Sequence, residues 1–131
     1  MNRIWNWNGH EYPFDVSDPA CTEAVTEALA TLETDAQRLE ARPHLTTSQT
    51  LRGHCAIVIR FFNTVFGEGA GREIIGSRDS AGVADEAYLD FICFVNGQIA
   101  AFSRIREEVV SCYEERLAAL SEGQVPPCAN E

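Results

Sequence analysis

The sequence predicts a mainly α-helical protein, a small helical bundle with an N-terminal β-hairpin and a long C-terminal helix. Two observations carry this prediction. Apolar residues recur at steps of three and four over three long segments, which is the spacing of amphipathic helices. An Asn-Gly pair near the N-terminus is typical of a two-residue hairpin turn. A chain of 131 residues is expected to form one domain, which we place at 1–123 and follow with a disordered tail at 124–131.

The hairpin is predicted over residues 3–16, with Asn8-Gly9 as its turn. Both turn residues tolerate the positive φ that a type I′ turn requires. The cross-strand pairs that this turn sets are Trp5 with Tyr12 and Trp7 with His10. An isolated two-stranded hairpin is marginal in water, so we expect this one to pack on helices or on a neighbouring subunit.

The bundle is predicted over residues 18–122. Its first helix begins at Asp18-Pro19, an N-cap followed by proline at the first helical position, and stops before Pro43. The second helix takes Thr47 or Ser48 as its cap and runs to Phe66. Its apolar positions leave little polar face, so it is predicted to be the central helix of the bundle.

The last helix is predicted to begin at Asp79 or Ser80 and to continue up to Gly123. Unbroken, it would be roughly 60 Å long. Asn96-Gly97 is the expected break or kink, because glycine inside a helix costs about 1 kcal/mol relative to alanine. A helix of this length is too long for so small a bundle to cover.

The glycine-rich stretch GEGAG, residues 67–71, invites comparison with phosphate-binding loops. A P-loop needs a lysine, and the sequence contains none. The dinucleotide-binding fingerprint also fails, because the spacing is wrong and Glu68 would face the anion. Gly67 directly follows the last apolar residue of the second helix, which is where a C-cap glycine belongs. We therefore interpret the stretch as a helix stop.

No arrangement of residues in the sequence indicates catalysis. The three histidines are isolated, and the five cysteines form no CxxC or CxxH pair, so no zinc site is expected. His54 and Cys55 are adjacent on a helix and point about 100° apart, which prevents them from acting as a base and nucleophile pair. The paired carboxylates are predicted on exposed helix faces. We therefore predict a protein that is not an enzyme, with no catalytic residues, no bound metal and no cofactor.

The net charge is −10, from 20 acidic and 10 basic residues. Direct binding to nucleic acid or to an anionic membrane is therefore not expected, because both need cationic side chains against phosphate. The acidity has two interpretations that the sequence leaves open: a surface that only keeps the protein soluble, or an acidic face that meets a basic partner. The start of the chain shows no signal peptide and no apolar run reaches the roughly 20 residues of a membrane span, so a cytoplasmic protein is expected.

Several phrases of the sequence resemble a family of small uncharacterised proteins encoded in phages and prophages of Gram-positive bacteria. They are NGHEYPFDVSD, CAIVIRFFNTVFGEGAGREIIG and EAYLDFICFVNGQ, within residues 8 to 100. Proteins of that family are often encoded near the tail tape-measure gene, where tail assembly chaperones are found. The resemblance thus implies a role in the cytoplasm of a bacterial host. The long acidic last helix departs from the short basic tail of many members.

Two functions follow as hypotheses. The first is a non-enzymatic protein that assists phage tail assembly, in the manner of a chaperone, by covering an aggregation-prone helical partner. The alternative is an inhibitor of a host defence protein, for instance an anti-CRISPR, whose carboxylates imitate nucleic acid. A structural component of the virion is a weaker third interpretation.

The residues predicted to bind a protein partner belong to three groups, two apolar and one acidic. The hairpin contributes Trp5, Trp7 and Tyr12, and the last helix contributes Phe102, Ile105 and Val109 together with Glu107, Glu108, Glu114 and Glu115. The apolar positions of the last helix, together with Cys112, are also expected to pair two copies of the chain as a homo-oligomer.

Overall fold

The computed structural model describes residues 1–121, and the predicted tail at 124–131 lies outside them. The chain begins with strands β1, Ile4–Trp7, and β2, His10–Pro13. Asn8 and Gly9 both have positive φ, 47° and 80°, as the hairpin turn requires. The predicted register is confirmed: Trp5 faces Tyr12, and Trp7 faces His10.

Helix α1 is Pro19–Ala41 and helix α2 is Thr47–Phe66. The Asp18 side chain accepts a hydrogen bond from the Ala20 backbone N–H, so the predicted N-cap of α1 is confirmed. The cap of α2 is Thr46, one residue before the first of the two predicted positions, Thr47 and Ser48. Thr46 and Gln49 form a reciprocal capping box, in which the side chain of each residue accepts a hydrogen bond from the backbone N–H of the other. This exchange satisfies two backbone N–H groups and selects Thr46 over Thr47 and Ser48 as the cap.

The GEGAG stretch ends α2 and leads into the short helix α3, Ala70–Ile75. Gly67 has a φ of 110° and its N–H binds the Asn63 carbonyl, so it is the C-cap of α2. Gly71 has a different role: a Cβ at this position would lie 2.3 Å from the Ile59 carbonyl oxygen. Only glycine lets α3 cross α2 this closely.

Helix α4, Ala81–Ser121, is continuous through Asn96 and Gly97. The predicted break there is therefore wrong, because an isolated glycine lowers the stability of a helix without being sufficient to end it. Ser80 caps the helix, its hydroxyl accepting a hydrogen bond from the Val83 N–H. The prediction of a mainly α-helical bundle with an N-terminal hairpin and a long C-terminal helix is confirmed.

The core lies between α1, α2, α4 and the hairpin and is rich in aromatic side chains. Phe62 and Phe91 are fully buried, with ring centroids 5.8 Å apart. Trp5 lies between α2 and α4 and stacks on Phe62 at 5.5 Å and on Phe66 at 6.0 Å. The wide apolar surface that the sequence gives to α2 is thus covered within the chain by α1, the hairpin, α3 and α4.

Gln98 attaches the hairpin to α4 and is only 3% exposed. Its amide nitrogen donates to the carbonyl oxygens of Asn2 and Phe14, at 2.7 and 2.6 Å, and its carbonyl accepts from the Val16 N–H at 3.0 Å. One side chain of α4 therefore binds the backbone just before β1 and just after β2.

Candidate partner-binding surface

The hairpin aromatics, predicted as partner-binding residues, face the interior. Trp5 is 2% exposed and donates its indole N–H to Asp90 at 2.8 Å. Tyr12 is also buried and donates its hydroxyl hydrogen to Glu73. Trp7 is half-buried and donates to the Ile74 carbonyl. Because their polar atoms already have partners in α3 and α4, we remove Trp5 and Tyr12 from the candidate surface.

Helix α4 has two parts that differ in burial. Its buried residues are Ala84, Ala87, Phe91, Val95 and Gln98. In the second part, residues 99–121, no residue is buried. We call this part the distal segment. At 1.5 Å per residue it is roughly 33 Å long, so α4 extends well beyond the positions at which it contributes to the core.

The distal segment carries a broad apolar face on the same side of α4 as the core residues. Eighteen residues make five full helical turns, so Phe102, Val109 and Tyr113 lie on the face of Ala84, Phe91 and Val95. The same step relates Leu120 to Phe102. The distal face is completed by residues on its two sides, so that its apolar members are Phe102, Ile105, Val109, Val110, Tyr113, Leu117 and Leu120. By the same spacing Arg106 and Arg116 also lie within this face.

Exposure on the distal face increases toward the end of α4. Ile105 and Val110 are 42% and 44% exposed, whereas Tyr113, Leu117 and Leu120 are 60% to 64% exposed. Phe102 and Val109 are half-buried. Large exposed apolar side chains grouped on one face of a helix indicate an interaction surface. Of the residues predicted from sequence, Phe102, Ile105 and Val109 thus lie together on this face.

The four predicted glutamates lie on the opposite side of the distal segment. Glu107, Glu108, Glu114 and Glu115 are all exposed. Glu107 and Glu114 are seven residues apart, as are Glu108 and Glu115, so the four share one face, within which Arg104 also falls. The distal segment is therefore amphipathic, with one apolar and one acidic side.

A groove of about 410 Å³ between α1 and α4 adjoins the base of the distal segment. Its walls include Val25 and Leu29 from α1 and Tyr88, Ile92 and Ile99 from α4. Ile99 is the first residue of the distal segment, so the apolar lining of the groove continues onto it. Sequence reasoning missed this groove. Leu29 in its wall is 38% exposed.

Burial and hydrogen bonding shift the pKa values of several ionisable side chains. Burial raises the pKa of the Tyr12 phenol, and the hydrogen bond to Glu73 raises it further. Burial likewise raises the pKa of Tyr88 and of the Cys55 thiol, which makes Cys55 a poor nucleophile. Hydrogen bonds from Ser17, together with Arg3, hold the pKa of the Asp15 carboxyl below its usual range.

Among residues 1–121, no three His, Cys, Asp or Glu side chains are grouped so that they could hold a metal ion. Within the same residues, no helix combines the length and the apolar character that crossing a membrane requires. His54 and Asp85 form a close contact of 2.6 Å between α2 and α4, but both side chains are about half exposed and no third polar group completes a catalytic arrangement in the described contacts.

A family model described as a family of unknown function, DUF6673, matches residues 8–119. The chain belongs to the DUF6673 family. The match begins at the hairpin turn and ends two residues before the end of α4, so it includes almost all of the distal segment. No curated protein and no solved structure matches this DUF6673 protein.

Proposed function

We propose that this DUF6673 protein is a non-enzymatic phage protein that acts by protein–protein interaction in the cytoplasm of the bacterial host. The distal face of α4 binds a helical segment of the partner. The observation that carries the proposal is the position of Phe102, Val109 and Tyr113, five turns after core residues of the same helix. The face with which α4 packs on the core therefore continues along the helix past Gln98, its last buried residue.

Burial of the exposed apolar side chains of the distal face would favour the binding of a partner there. Helices in proteins owe most of their stability to packing of an apolar face rather than to intrinsic propensity. Tyr113, Leu117 and Leu120 are at least 60% exposed. Covering each would contribute on the order of 1–2 kcal/mol, because full burial of such a side chain is worth about 1.5–3 kcal/mol. The partner that fits is an amphipathic helix, which would lie along α4 with its own apolar face covered.

The resemblance to proteins encoded beside phage tail genes supports a particular partner, a helical segment of the tape-measure protein. On this proposal, the segment exposes an apolar helix face that would aggregate if left uncovered. A small acidic protein that covers its apolar face would act as a chaperone in tail assembly. The net charge of −10 would keep the resulting complex soluble.

Pull-down with a fragment of the phage tape-measure protein tests this proposal. Leu117→Glu places a charge in the distal face, and we expect it to abolish binding. Ala118→Glu adds the same charge at the neighbouring exposed position on the acidic side and should leave binding unchanged. Equal binding by both variants, or no binding by the unmodified protein, would contradict the proposal.

The acidic side of the distal segment supports a second candidate, an anti-defence inhibitor that occupies a nucleic-acid site. Residues 107 to 115 carry four carboxylates over roughly 12 Å of helix. The mean spacing is about 4 Å, near the one charge per 3.4 Å of a single DNA strand, although the carboxylates form two adjacent pairs about 9 Å apart along the helix. Arg104 interrupts this resemblance at one end, which is why we place the inhibitor second.

Charge reversal tests the inhibitor. Glu107, Glu108, Glu114 and Glu115 would be changed together to Arg, and inhibition of a nucleic-acid-binding defence nuclease such as a CRISPR effector would be measured. The control reverses four exposed glutamates of α1, namely Glu23, Glu27, Glu33 and Glu40. Inhibition lost only in the first variant supports the acidic site. Inhibition lost equally in both, or absent from the unmodified protein, contradicts it.

A further inference from the structure

The distal face of α4 contains two positive charges among its apolar side chains. Arg106 and Arg116 are ten residues apart in the sequence and therefore roughly 15 Å apart along the helix. We infer that the helical partner carries carboxylates within its own apolar face, at the two positions that meet these arginines. The inference rests on the proposed function, because it concerns the chemistry of the partner that the distal face binds.

Arg106 has no carboxylate beside it on its own helix. The side chains that can reach it are those three and four positions away, namely Phe102, Ser103, Val109 and Val110. Arg106 is exposed and takes part in none of the ion pairs of residues 1–121. A helix laid on the distal face would therefore displace water from the Arg106 guanidinium, and α4 offers no acidic side chain next to it in compensation.

Arg104, only two residues earlier, lies in the opposite surroundings. It belongs to the acidic side of the distal segment, where Glu107 and Glu108 follow it by three and four positions. A helix bound to the distal face would leave this side in water. Arg104 therefore needs no carboxylate from a partner, which makes it the matched control for Arg106.

The cost of covering an unpaired charge decides what the partner must carry. Removing a guanidinium from water is unfavourable unless a carboxylate pairs with it. The planar fork of arginine N–H donors fits a carboxylate with two parallel hydrogen bonds. A partner helix with a purely apolar face would leave the arginine charges uncompensated, and lysine there would add repulsion. A second copy of the distal face would likewise bring further arginines and no carboxylate.

The spacing of the two arginines determines the spacing of the carboxylates. On a helix that lies nearly along α4, two points roughly 15 Å apart are separated by ten or eleven residues. The net charge of −10 opposes a partner that is acidic throughout. The partner helix is therefore amphipathic, with two acidic residues at this spacing within its apolar face and with neutral or basic outer sides.

Three synthetic helical peptides with one common apolar face test the inference. They carry two Glu, two Gln or two Lys at the required spacing, and calorimetry measures their affinity for the full chain. We expect the Glu peptide to bind at least tenfold more tightly than the Gln peptide, and the Lys peptide to bind most weakly. Equal affinities would overturn the inference and leave the helix-binding function standing. No binding by any peptide or by a tape-measure fragment would contradict both.

Charge reversal in the chain tests which arginine faces the partner. For Arg106→Glu, we expect a hybrid peptide with one Glu and one Lys to bind more tightly than the peptide with two Glu. The order of the two charges in the preferred hybrid gives the direction of the bound helix. Arg104→Glu changes the net charge equally and should keep the two-Glu peptide tightest. Circular dichroism checks that both variants keep their helices. If Arg106→Glu also binds the two-Glu peptide most tightly, the inference is wrong.

Discussion

At the scale of single residues, Gln98 stabilises the fold by hydrogen bonding rather than by apolar contact. Gln98→Met keeps the length of the side chain but leaves the Val16 N–H and the Phe14 carbonyl without their partner. Each buried group without a partner costs about 1–3 kcal/mol, so we expect a loss of about 2–4 kcal/mol in the free energy of unfolding. Chemical denaturation measures it. Gln37→Met at an exposed position of α1 is the control and should change stability little.

Gly71 supports the crossing of α2 and α3. Gly71→Ala would place a methyl group 2.3 Å from the backbone oxygen of Ile59. Backbone cannot yield as a flexible side chain does, so we expect destabilisation of about 1–3 kcal/mol. The matched control is Gly82→Ala in the first turn of α4, where the nearest atom lies 3.8 Å from the added methyl. If both variants unfold at the same denaturant concentration, the close approach of α3 does not constrain position 71.

Tyr12 makes the free energy of unfolding depend on pH in the alkaline range. Its pKa is raised in the folded protein, so the unfolded chain loses the phenolic proton first as pH rises. The contribution of Tyr12 is therefore complete below its ordinary pKa of about 10 and is lost as pH rises above that value toward the folded pKa. We expect the stability difference between the unmodified protein and Tyr12→Phe to shrink above about pH 10. A difference that stays constant or grows with pH would refute this assignment.

At the scale of elements, local signals in the sequence predicted most of the secondary structure. The Asn8-Gly9 turn determined the hairpin register, and Asp18 determined the start of α1. Thr46 was missed by one residue, because several hydroxyl residues are adjacent and only the reciprocal bond with Gln49 selects among them. The roles of Trp5 and Tyr12 could not be predicted, since an aromatic hairpin suits a core and a partner equally until the packing of α2 is known.

Gly97 shows why an isolated glycine is a weak stop signal. No side-chain or non-local atom lies within 4 Å of a methyl group added at this position, so neither a turn nor a close contact requires glycine there. Gly97→Ala should therefore raise helix stability by up to about 1 kcal/mol. The midpoint of thermal unfolding would move upward. A lower midpoint would show that α4 needs the flexibility of glycine between its core part and the distal segment.

At the scale of the whole molecule, the division of α4 into a covered part and a distal segment predicts two levels of stability. Amides of residues 84–98 belong to the core and should exchange hydrogen only on global unfolding. Amides of residues 103–121 belong to a helix that the body does not cover, so they should exchange much faster in dilute protein.

The dependence of hydrogen-exchange protection on protein concentration distinguishes a distal segment that pairs from one that stays uncovered. If the distal face pairs with a second copy, protection of residues 103–121 should increase as sedimentation shows dimer forming, while protection of residues 84–98 stays the same. In that case Leu117→Glu should keep the distal segment in fast exchange at every concentration, and Ala118→Glu should not. Strong protection of the distal segment in a dilute monomer would mean that this helix is stable without any partner. The physical basis for assigning a binding role to its apolar face would then be lost.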